Sequence, residues 1–133
     1  MLYLYVRVLR EFCQLETFRP RCWKNEVVVI DKALYGRRQV NRCIREDEKA
    51  FLDDRRFFNC YANVLAALDD RCSGRKQCEV RVPDAELEQS RSCLHGLQMF
   101  LEVSYDCVEG TTTQSLQLQT ITMSDVTERN NST

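Results

Sequence analysis

Glu26-Val27-Val28-Val29-Ile30 is an unbroken run of β-branched residues opened by one acid and closed by another, Asp31. Branching at Cβ suits these side chains to a pleated sheet, and a continuous apolar run marks a strand covered on both faces. The run predicts a strand inside a sheet, so the chain reads as mainly β. Met99 to Tyr105 supports this by alternation: Leu101, Val103 and Tyr105 share one face, Glu102 and Ser104 the other. Glu79-Val80-Arg81-Val82 also alternates and stops at Pro83, which has no N–H to give a ladder. One segment departs from the pattern. In Asn63 to Cys72, the residues Val64, Leu65, Leu68 and Cys72 fall on one helical stripe, with Asn63 to cap its start and Gly74 to stop it.

The chain has 133 residues, enough for one domain with a core. Nineteen Lys+Arg stand against twenty Asp+Glu, a net charge of -1 that argues against a general nucleic-acid binder. Eight cysteines, Cys13, Cys22, Cys43, Cys60, Cys72, Cys78, Cys93 and Cys107, are even in number and widely spread, as in a secreted disulfide framework. Zinc is the rival, but structural zinc usually takes cysteines in close pairs within one tight turn. The closest pair here, Cys72 and Cys78, has five residues between, and His95 is the single histidine. Disulfides and an oxidising compartment are the better reading, with no cofactor or metal expected. No Gly-x-Ser-x-Gly and no phosphate-cradling glycine loop occurs, and a disulfide-bonded Cys93 beside His95 is no nucleophile, so no enzyme is expected.

Three zones are expected: 1–12 as a lead with the first strand, 13–108 as the folded unit, and 109–133 as a Ser/Thr-rich linker or stalk. In the last zone ten of the residues from Thr111 to Thr133 are Ser or Thr, and glycosylation sequons begin at Asn130 and Asn131. The alternative there is one more weak strand through Leu116, Leu118 and Ile121. The start, Met1 to Arg10, lacks a positive leader and does not read as a complete signal peptide. Secretion would then need an upstream N-terminus. No stretch approaches the roughly 20 apolar residues of a membrane-spanning helix.

The segment from Val27 to Arg37, with Asp31 followed by Ala33-Leu34-Tyr35-Gly36-Arg37, resembles the sea-urchin-egg-lectin (SUEL) type, or rhamnose- and galactose-binding, lectin domain. Other marks agree: Cys22 shortly before the strand, Arg71-Cys72-Ser73-Gly74-Arg75-Lys76-Gln77-Cys78 after the helix, and the close from Phe100 to Cys107. The chain looks most like the copies in latrophilin-type adhesion receptors and EVA-1-type guidance receptors. The resemblance implies a compact antiparallel β-sandwich with one short α-helix, long loops and four disulfides. The implied pairs are Cys13–Cys43, Cys22–Cys107, Cys60–Cys93 and Cys72–Cys78. It implies an extracellular module, part of a membrane-anchored protein.

The resemblance also implies a sugar site at Asp31, Tyr35, Gly36, Arg37, Gly96 and Met99, and here the chain departs from the family. Asp31 stands where a glutamate is usual, Arg91-Ser92-Cys93 where Asp-Pro-Cys is usual, and Met99 where a lysine donates to the sugar. Methionine has no hydrogen to donate. A degenerate monosaccharide site is therefore expected. Each residue also has a plain structural reading: Asp31 paired with Lys32 or Arg37, Tyr35 packed on the core, Gly36 in a turn of positive φ, Arg37 bridging a carboxylate. Arg37, Arg38 and Arg42 further suggest a heparin-type patch, against which stands a solvated face interleaved with Glu46, Asp47 and Glu48. The partners expected are a glycan (galactose- or rhamnose-like, or heparan sulfate) or a receptor ectodomain, and no nucleic acid. The alternative function is a protein–protein interaction module with no sugar binding.

Overall fold

The computed structural model describes residues 8–51 and 53–110. Four strands form one antiparallel sheet: β1 (Arg10–Phe12), β3 (Glu26–Arg37), β4 (Cys60–Asn63) and β6 (Phe100–Glu109), in the spatial order β1-β6-β3-β4. A two-stranded antiparallel sheet pairs β2 (Thr17–Phe18) with β5 (Val80–Arg81). Helix α1 (Leu65–Cys72) and the single turn α2 (Ala85–Glu88) complete the inner layer, and a 3-10 helix spans Glu46–Phe51. The chain is mainly β with antiparallel sheets and short helices, as expected. Among the described residues no helix is long and apolar enough to cross a membrane.

The Val27–Ile30 run lies in β3, but β3 does not end there. It continues through Tyr35-Gly36-Arg37 because Asp31 forms a bulge between Ile30 and Lys32. Side chains in a strand alternate, so one extra residue switches which parity faces inward. Val28 and Ile30 face the core before the bulge; Ala33 and Tyr35 face it afterwards. The expectation of a strand covered on both faces needs correction, since Val27 and Val29 are only half-buried. Inward-facing residues of β3 and β6 meet Val64, Leu68 and Cys72 around α1, and Phe18, Val80, Val82 and Leu87 from the smaller sheet and α2. On the outer face the β3–β4 connection buries Ile44 and Phe58 against Phe100.

The N-cap of helix α1 is Val64, not Asn63 as expected; the Asn63 side chain, one residue earlier, accepts from Leu65 N at 2.8 Å. At its other end Gly74, with φ +86°, donates to Val28 O at 2.8 Å, and the Ser73 hydroxyl accepts from Ile30 N, so the helix end is tied to β3. Helix α2 was not legible from periodicity because it is a single turn. It begins where Asp84 accepts from the N–H groups of Glu86 and Leu87 and from Arg71 on α1.

All eight cysteines are bonded, in the pairs Cys13–Cys43, Cys22–Cys107, Cys60–Cys93 and Cys72–Cys78 that the family resemblance implied. With every thiol used, no thiolate is left for the zinc alternative. The lead at residues 1–7, the stalk from Thr111 onward and the sequons at Asn130 and Asn131 lie outside the described residues. The first strand, expected within 1–12, is β1 at Arg10–Phe12, and Gly110 N donates to Asn25 O just beyond the end of β6.

Candidate functional site

Tyr35, Gly36 and Arg37 occupy three successive positions near the end of β3, and each is committed to the fold. The Tyr35 ring is fully buried and its phenol donates to Glu88 Oε2. Burial and this carboxylate push the phenol well above its ordinary pKa. Gly36 is not in a turn, contrary to expectation. It lies within β3 at φ +148°, where a Cβ would meet Cys60 O at 2.3 Å and Tyr61 Cα at 2.6 Å. Only a residue without a side chain allows β4 to approach so closely.

Arg37 is fully buried. It donates to the carbonyls of Phe57 and Gln98, each at 2.7 Å, and to Glu48 at 3.2 Å, and its guanidinium lies 4.9 Å from the Phe58 ring centroid. A planar cation with several fixed donors suits such a site. It follows that Arg37 presents no charge to a heparin chain, and the expected patch is corrected on this point. The other two members are neutralised in place. Arg38 binds the buried Glu102 through two bonds of 2.8 and 2.9 Å, and Arg42 binds Glu16 at 2.8 Å and Glu11 at 3.1 Å. Arg42 lowers the Glu16 carboxyl from 4.5 to about 2, first through this hydrogen bond.

Gly96 and Met99 belong to the connection between Cys93 and β6. Gly96 has φ +92° with open space around its Cα. Met99 is buried, and its carbonyl accepts from Gln14 Nε2 at 2.8 Å. Arg91 fills the inside of this connection, donating to the carbonyls of Leu94 (3.0 Å) and Leu97 (3.3 Å) and to Glu88 at 2.8 Å. Tyr35, Glu88, Arg91, Gly96, Met99 and Gln14 thus form one neighbourhood, linked by hydrogen bonds from Gln14 and Arg91 and by the Tyr35 phenol. Gln14 and Glu88 were missed in the sequence. Nothing local distinguishes them; only the fold joins Gln14 to Met99.

Asp31 is not in this neighbourhood. It is exposed at the bulge, where its carboxylate accepts from the Ser104 hydroxyl at 3.0 Å. Ser104 lies five residues along the chain from Met99, roughly 16 Å at the rise of a strand. The six residues expected to hold a sugar therefore do not converge: Asp31 is remote, and Tyr35, Arg37 and Met99 are inside the protein. A separate cleft of about 450 Å³ lies beside β1, with Phe12, Phe18 and Tyr105 in edge-to-face contact and Arg10 among its lining residues. Of the residues expected to hold a sugar, none lines it.

Residues 20–107, about two-thirds of the chain, match the D-galactoside/L-rhamnose binding SUEL lectin domain. The chain belongs to the SUEL lectin family. No curated protein matches it. As a SUEL lectin domain it is a carbohydrate-binding module by family, and its Tyr-Gly-Arg element has here a clear structural role. Tyr35 joins β3 to α2, Gly36 admits β4, and Arg37 ties the β3–β4 connection to the segment before β6.

Proposed function

We propose that this SUEL lectin domain acts outside the cell as a glycan-binding module whose site for a single neutral sugar is degenerate. The family match carries the glycan reading, and the state of the Gly96 neighbourhood supports the loss. A monosaccharide site needs free donors and acceptors on rigid loops, because every sugar hydroxyl that loses water without a partner costs about 1–3 kcal/mol. Here the Arg91 guanidinium is spent on Leu94, Leu97 and Glu88, the Tyr35 phenol on Glu88, and the Gln14 amide on Met99. Met99, at the position where the family resemblance implies a lysine, offers no donor. The extracellular setting rests on four disulfides, which persist in oxidising compartments.

Calorimetric titration of the natively oxidised chain with rhamnose and galactose tests the reading. Affinity weaker than about 1 mM is expected, and clearly stronger binding by either sugar overturns the degenerate site. A second reading, a protein–protein module of an adhesion or guidance receptor, has one observation in its favour. Phe51, 45% exposed and stacked on Phe57, and Leu94, 42% exposed and bonded to Arg56, present apolar surface beside the same connection. Screening the domain against receptor ectodomains and a glycan panel in parallel separates the two.

A further inference from the structure

The ion pairs of this protein are unevenly placed. Arg19, Arg38, Arg42, Arg56 and Arg71 each hold a carboxylate at 2.8–2.9 Å. Arg21, Lys24, Arg75 and Lys76 are all exposed, and none has an ion-pair partner among the described residues. The fold gathers these four at one end. Cys22 N donates to Lys76 O at 3.0 Å, Arg21 bridges Gln77, and Val28 N donates to Arg75 O at 2.7 Å. Lys24 lies in the tight turn closed by Glu26 N on Trp23 O, where Asn25 has φ +73°. The disulfides Cys22–Cys107 and Cys72–Cys78 brace both segments. Three carboxylates belong to the same end: Glu26, which accepts from Trp23 N, Glu109 opposite it on β6, and Asp106 beside the Cys22–Cys107 bridge. Cations prevail there, in a chain whose net charge is -1.

Between these cations Trp23 is 82% exposed. A single exposed apolar residue means little by itself. Beside four uncompensated cations it supplies what a charged saccharide requires, an aromatic face for the C–H surface of a pyranose ring and fixed positive charges for its anionic substituents. Bracing by two disulfides reduces the ordering cost of binding. The small size of the patch suits a linear polyanion lying across one end, whereas a broad anionic bilayer would also meet the acidic remainder of the surface.

We propose that the Trp23 end, with Arg21, Lys24, Arg75 and Lys76, binds a sulfated polysaccharide. This site lies at the opposite end of β3 from Gly36, roughly 35 Å away at strand rise, and is independent of the neutral-sugar reading. Trp23 is the only tryptophan, so its fluorescence reports on this site directly. Titrating the oxidised chain with size-defined heparin oligosaccharides should shift or quench that emission, with affinity falling as salt rises. Changing Arg21, Lys24, Arg75 and Lys76 together to glutamine should weaken binding about tenfold or more, as four exposed charge contacts are lost. A charge-matched variant at Arg10, Lys32, Arg55 and Arg81, likewise unpaired among the described residues, should bind like the parent. Desulfated heparin should give no shift, and excess rhamnose should not compete. The proposal is overturned if heparin binds without changing Trp23 emission, if heparin does not bind, if the two quadruple variants weaken equally, or if anionic vesicles of phosphatidylserine give the same shift as heparin.

Discussion

At the scale of single residues, the Tyr-Gly-Arg element separates packing from recognition. At Gly36 the obstruction is backbone, Cys60 O and Tyr61 Cα, which no side-chain adjustment relieves. Gly36→Ala should therefore cost about 3 kcal/mol or more, whereas Gly96→Ala meets only the strain of positive φ, about 1–2 kcal/mol. Urea unfolding midpoints of the two variants measure the contrast, and equal losses would contradict the close approach of β3 and β4. Arg37→Gln removes a buried cation from two carbonyls and Glu48, and should destabilise by about 3–5 kcal/mol. Its retention on heparin, measured where the variant is still folded, should match the parent. Loss of retention in the folded variant would return Arg37 to the surface role that its burial denies.

At the scale of elements, the connection after β3 is fastened to β1 and the β1–β2 connection by Cys13–Cys43 and by Arg42 on Glu11 and Glu16. Glu16 is held at about 2 in the folded protein against an ordinary 4.5, so its contribution is fully present above pH 4.5 and is lost as pH falls through 2. The pair is half-exposed, which limits its worth to about 1 kcal/mol or less. The stability difference between the parent and Arg42→Gln should accordingly be greatest near neutral pH and close towards pH 2, as denaturant melts across that range would show; a gap that widens in acid would contradict it. Elements with a repeating pattern were legible in the sequence: the Val27–Ile30 strand, the alternating β6 and the Val64-Leu68-Cys72 stripe of α1. The bulge at Asp31 was not, because it changes the parity of β3 without changing its composition. That same bulge holds Asp31 exposed, away from the buried Tyr35. Asp31 lies only four residues before Tyr35 in the chain, yet Gln14 and Glu88, far from Met99 and Tyr35 in sequence, are the residues that reach them.

At the scale of the whole molecule, the disulfides differ chiefly in how much chain each closes. Cys22–Cys107 spans 85 residues and joins the approach to β3 with the end of β6; Cys72–Cys78 spans only 6. On a loop-entropy account, replacing both cysteines by alanine should cost about 4.5 kcal/mol for the long loop and about 2 kcal/mol for the short one. A domain of this size has roughly 5–15 kcal/mol in total, so the first change threatens folding at 37 °C while the second leaves a folded chain. The short bridge nonetheless holds Arg75 and Lys76 beside Trp23. Cys72→Ala/Cys78→Ala should then retain most of its thermal stability and yet bind heparin more weakly, because the two cations must be ordered at the moment of binding. Thermal melts paired with Trp23 titrations read both quantities from one preparation. Unchanged heparin affinity in that folded variant would mean that the Cys72–Cys78 loop braces the fold alone, and equal melting losses for the two disulfides would show that loop length does not govern how they stabilise it.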